Sequence, residues 1–103
     1  MTLGDWLSDR AGAVPPRLAA RIGEALGARL RAPREEAMRH CVDAADELLR
    51  NLLARESTGR DSALDLLTVD ALVTYAFEAA SDHPATLSER AAQAAKRFAA
   101  VAS

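Results

Sequence analysis

Residues 61–81 read DSALDLLTVDALVTYAFEAAS. Wound at 3.6 residues per turn, Leu66, Val69, Leu72, Val73, Ala76, Phe77 and Ala80 cover a wide arc, and Leu64, Leu67 and Tyr75 lie outside it. The polar remainder is narrow: Asp70, Thr74, Glu78 and Ser81. A helix that is apolar over most of its circumference sits in the middle of a fold or in an oligomer interface. This fourth helix therefore sets the expected architecture. Asp82-His83-Pro84 stops it, because the residue before a proline is pushed out of the helical region.

The neighbouring segments are helical too. Upstream, a third helix spans about Pro33 to Arg55, with Met38, Cys41, Ala45, Leu48, Leu49 and Leu52 on one face. Glu36, Arg39, His40, Asp43, Asp46, Glu47 and Arg50 take the other face. Ser57-Thr58-Gly59 ends it, and Asp61 or Ser62 can cap the next helix. Downstream, Thr86 and Glu89 have capping-box spacing, which starts a fifth, alanine-rich helix near Leu87. Only Leu87, Phe98 and Val101 give that helix bulk, so weak docking is expected.

Toward the N-terminus, Pro16 suits a first helical turn, and a second helix runs from there to about Arg31. Leu18, Ile22, Leu26 and Leu30 form its apolar side. Beside them, Ala19, Gly23 and Gly27 form a small-residue stripe that suggests close approach of another backbone. Thr2 caps a short first helix over residues 3–10.

Composition agrees with these assignments. Ala supplies 24 of the 51 hydrophobic residues and Leu 14, while Val, Ile and Thr together number 11. Strands want β-branched and aromatic residues, and helices want Ala, Leu, Arg and Glu. The expected fold is all-α: a small bundle of four main helices plus a short N-terminal one, with residues 1–103 as a single domain. Setting the 24 alanines aside leaves 27 larger apolar residues to build a core. That is thin for a small domain, so a partner surface is expected to complete it. The candidate interface is Leu66, Val69, Leu72, Val73 and Phe77, and the expected partner is a second copy (a homodimer) or another protein.

Other function classes are weaker. No window spans a membrane. The first residues lack a signal peptide's basic start and apolar run, which points to the cytoplasm. One cysteine excludes an intramolecular disulfide framework. His40, His83 and Cys41 fall short of four zinc ligands, and no cofactor is implied. His40 reads as solvated and Cys41 as a small buried hydrophobe. The carboxylates Asp43, Asp46 and Glu47 share a face that a magnesium ion would accept. Opposite charges at Glu35–Arg39, Arg39–Asp43 and Asp46–Arg50 explain the cluster without an ion.

The row Asp70, Thr74, Glu78 is either a solvent window or a semi-buried polar stripe. In the second case Arg21, Arg29 or Arg34 would supply partners. A ligand-binding or enzymatic bundle would then use Asp70 and Glu78 in a pocket between the third and fourth helices. Charge is uneven. Arg10 to Arg34 holds six arginines against one acid, Glu24, whereas residues 41–103 hold six basic and ten acidic side chains. The basic stretch Arg10–Arg34 would serve a nucleic-acid partner, an acidic protein, or the chain's own acidic half. One lysine and 4% aromatic residues argue against nucleic acid.

Two stretches, Glu36-Ala37-Met38-Arg39-His40 and Val69-Asp70-Ala71-Leu72-Val73-Thr74-Tyr75-Ala76-Phe77-Glu78, resemble helices of trans-type polyprenyl synthases. The likeness covers about fifteen residues. The family's Asp-Asp-x-x-Asp metal motif and Gly-Gly-Lys diphosphate site are absent, so no catalytic residue carries over. The resemblance implies an alanine-rich bundle able to enclose an apolar ligand.

Overall fold

A computed structural model describes residues 1–10, 12, 14–55, 59–81 and 87–102. The α-helices are α1 (Leu3–Arg10), α2 (Pro16–Leu26), α3 (Ala37–Arg55), α4 (Arg60–Ser81) and α5 (Leu87–Ala102). Two 3-10 turns, Gly27–Arg31 and Arg34–Glu36, join α2 to α3. The fold is all-α, with four main helices and a short N-terminal one. The readings of Ser57-Thr58, of Asp82-His83-Pro84 and of the Thr86–Glu89 cap lie outside the described residues or side chains.

The helix starts follow local chemistry. The Thr2 hydroxyl accepts from the Asp5 amide at 3.2 Å, and the Asp5 carboxylate accepts from the Thr2 amide at 3.1 Å. This reciprocal cap satisfies two amides that the first turn would leave open. It also holds the Asp5 carboxyl below its usual pKa, chiefly through the Thr2 backbone bond. Pro16 opens α2 as expected. Ser62 does not cap α4: it lies inside the helix, buried, and its hydroxyl has no hydrogen-bond partner among the described residues.

The second helix is shorter than its periodicity suggests. Gly27 adopts φ +51°, a left-handed conformation that closes α2. The chain then tightens into a 3-10 turn and meets the N-terminus. Leu3 donates to the Ala32 carbonyl at 2.8 Å, and Arg34 donates to the Met1 carbonyl at 3.1 Å. The close backbone approach occurs at Gly4, where an added Cβ would stand 3.2 Å from the Leu30 carbonyl oxygen. At Gly23 and Gly27 an added Cβ meets nothing within 4 Å. The small-residue stripe of α2 is therefore open, not a packing seam.

The core joins all five helices: Leu3, Trp6 and Leu7 of α1, Ile22 and Leu26 of α2, Cys41 and Ala45 of α3, Leu72 and Ala76 of α4, and Ala94 of α5. α4 packs chiefly along α3. Alanines buried on both helices (Ala44, Ala45, Ala76, Ala79 and Ala80) leave little side-chain bulk between them. The expectation that α4 is wrapped all round is corrected. Its Leu72 side is buried, but the flank carrying Leu66 and Phe77 faces out of the chain.

Candidate functional site

Among the described residues, three of the five exposed large hydrophobic side chains lie on α4. Leu66 is 55% exposed, Leu67 56% and Phe77 43%. Val69 and Val73 are half-buried, each leaning on the core from the edge of the same stripe. Val73 and Phe77 point about 20° to either side of Leu66's direction around the helix. Leu72 is 0% exposed and belongs to the core, so it leaves the candidate interface. Four of the five predicted side chains thus form one surface, and Leu67 extends it.

The polar row borders that surface and faces solvent. The Thr74 hydroxyl donates to the Asp70 carbonyl at 2.9 Å, an internal helix bond. Asp70 is exposed. Glu78 meets none of the arginines expected for it. Its partner is Arg10, at 3.4 Å, whose guanidinium also lies 4.4 Å from the Trp6 ring centre. Trp6 in turn meets Tyr75 edge-on, with ring centroids 6.2 Å apart. The row therefore helps latch α1 onto α4. Burial, and then the Glu78 charge, push the Tyr75 hydroxyl above its usual pKa.

Two carboxylates are buried: Asp65, which the sequence did not single out, and Asp46, expected on a solvated face. Asp65 is 5% exposed and lies under Arg21 (2.7 Å) and Arg55 (2.8 Å). Burial alone would raise its pKa, but hydrogen bonds from the two arginines outweigh that and hold it below the usual range. Asp46, placed on the polar face of α3, is buried beneath α5. It accepts from Arg50 at 3.0 Å and from Arg97 at 2.8 Å. Arg97 also pairs with Asp43. These bonds, first that to Asp43 and then that to Asp46, hold the Arg97 guanidinium more firmly protonated than usual. So α5 docks through charge as well as through Ala94 and Phe98.

The expected charge ladder along α3 is only partly formed. Arg39 pairs with Glu36, and Asp43 turns to Arg97 and Arg29. His40 is not a freely solvated side chain. Arg29 reaches its Nδ1 at 3.3 Å, and Glu36 lies 3.6 Å from its Nε2. Cys41 is fully buried, and burial pushes its thiol up to about 12. Among the described residues, no three His, Cys, Asp or Glu side chains gather as a metal site. Among them, too, no helix is long and apolar enough to cross a membrane.

Three of the six arginines in the basic N-terminal stretch pair with carboxylates of the same chain. Arg10 meets Glu78, Arg21 meets Asp65, and Arg29 meets Glu47 at 2.7 Å.

Grooves occur away from the α4 flank. One of about 360 Å³ lies between α1, α2 and α4, over Leu7, Ile22, Leu30 and Tyr75, where Ala19 and Gly23 leave room. Another, of about 300 Å³, lies between α3 and α5 over Met38, Val42 and Ala94. A third, of about 250 Å³, is bounded by Arg21, Leu48, Asn51, Ala54 and Arg55. Asp70 and Glu78 line none of these three. Comparison with protein-family models, with curated proteins and with solved structures finds no match for this chain.

Proposed function

We propose that the protein is a small non-catalytic interaction module that self-associates through the exposed flank of α4, in the cytoplasm. The observation that carries the reading is the continuous apolar row Leu66, Val69, Val73, Phe77, with Leu67 beside it, open to solvent in the single chain. A second copy is the simplest occupant because a twofold axis presents the same row to itself. In an antiparallel contact, Leu66 of one copy meets Phe77 of the other and the valines fill the centre. Leu66 and Phe77 are eleven positions apart, about 16 Å along the helix. A stable pair buries about 800 Å² per partner, more than so short a row supplies, so the dimer is concentration-dependent.

Two features disfavour the other readings. A ligand-binding bundle would use Asp70 and Glu78, and neither lines any of the grooves described above. A nucleic-acid partner for Arg10–Arg34 meets a stretch in which Arg10, Arg21 and Arg29 already pair with carboxylates of the same chain. Sedimentation equilibrium tests the proposal. Wild-type protein at tens of micromolar should approach twice the 11.0 kDa chain mass, and Leu66→Asp should return it to one. A wild-type protein that stays at the chain mass over that range overturns it.

A further inference from the structure

The cleft between α2, α3 and the first turns of α4 joins two cations that the fold holds in place. Asp65 engages one edge of each guanidinium, through Nε of Arg21 and Nη2 of Arg55. Arg55 is steadied further by donating from Nε to the Asn51 carbonyl at 3.3 Å. A guanidinium carries five N–H donors in a rigid fork, so each retains unused ones. Neither Nη2 of Arg21 nor Nη1 of Arg55 bonds a described residue. Both side chains bound the 250 Å³ cleft, with Asn51 between them on α3.

The charge count favours an anion. Among the described residues, two guanidiniums at the cleft share one buried carboxylate, Asp65. Glu24, largely exposed, lies 3.6 Å from Nη1 of Arg21, too far for a hydrogen bond. The cleft is several times the roughly 30 Å³ of one water, which leaves room for a compact oxyanion with part of its hydration. Preoriented arginine forks suit phosphate, whose oxygens accept paired N–H donors.

We propose that the cleft bounded by Arg21, Asn51 and Arg55 binds a small phosphate group, with Asp65 as the buried anchor that positions both arginines. Asp65 lies about 100° around α4 from Leu66, so this site and the self-association surface stand or fall separately.

The test is a titration of the full chain, labelled with ¹⁵N at arginine, with sodium phosphate against sodium chloride at matched ionic strength. The Nε–H resonances of Arg21 and Arg55 should shift saturably with phosphate. Glu24→Gln should tighten binding about threefold, the effect of removing one unit charge a few ångström away in a wet cleft. Arg55→Gln should abolish saturation. Asn51→Ala, which leaves the ion pairs intact, provides a second variant and should weaken binding. Adenosine monophosphate and acetate distinguish a phosphate carried on a larger molecule from a carboxylate. Shifts with adenosine monophosphate equal to those with inorganic phosphate support the assignment. Equal shifts with acetate, a linear response to phosphate, or unchanged binding in both Arg55→Gln and Asn51→Ala would overturn it.

Discussion

Replacing Asp65 with Asn tests the buried clamp between α2, α3 and α4. The amide keeps the shape and one oxygen acceptor but removes the charge that both arginines face. Arg21 is three-quarters buried and loses a charge-assisted bond of 2.7 Å, whereas Arg55 is about half exposed and can rehydrate. A bond to a charged group contributes about 1.5–3 kcal/mol, and breaking a fully buried pair costs about 3–5 kcal/mol. Partial rehydration places this substitution near 2–3 kcal/mol, or a fall in Tm of roughly 10–20 °C for a chain of this length. The pH dependence gives a second signature. Asp65 has a folded pKa below its unfolded one. Its contribution is therefore complete above the unfolded value of about 3.9 and is lost as pH falls through the folded value. Urea unfolding at pH 7 should show the full difference between wild type and variant, and the gap should narrow as pH falls below about 4. A variant within about 0.5 kcal/mol of wild type at pH 7, or a gap that persists in acid, would refute the assignment of the clamp to charge.

Three further outcomes are expected. Gly23→Ala should stabilise the chain by about 0.5–1 kcal/mol, since the new methyl meets nothing and the helix gains propensity; thermal melts check it. Arg97→Ala should uncover Asp43 and Asp46 and loosen α5 by about 1–2 kcal/mol, seen as faster amide exchange confined to residues 92–101. Cys41 should resist thiol reagents at pH 8 in the folded chain and react only on unfolding, because its thiol titrates near 12 and is shielded.

How much the sequence disclosed depends on the kind of signal. Pro16, the Thr2 cap and the long apolar repeat of residues 61–81 are local signals, and the helices start or run where these place them. Gly27 misled because periodicity continues through it, while its left-handed φ is a property of the connection to Pro33. Gly4 and Gly23 exchanged roles for a similar reason: which glycine meets another backbone is decided by how α1 docks on the 27–31 turn. Of the candidate site, the stripe was legible from spacing. Leu72 was misplaced because an arc drawn broadly cannot tell the side facing α3 from the side facing outward. Asp46 read as a surface charge and Asp65 drew no reading because their cations, Arg97 and Arg21, lie on other helices, 51 and 44 positions away. Patterns within one helix do not report such pairs.

The account rests most heavily on the outward flank of α4. Isotope-filtered nuclear Overhauser spectroscopy on a mixture of labelled and unlabelled chains tests it directly. Within one copy, the Leu66 methyls and the Phe77 ring are too far apart along α4 to exchange magnetisation. The account predicts cross-peaks between Leu66 of one copy and Phe77 of the other, fading on dilution. A dimer that lacks these peaks, or shows intermolecular peaks only elsewhere, would contradict it.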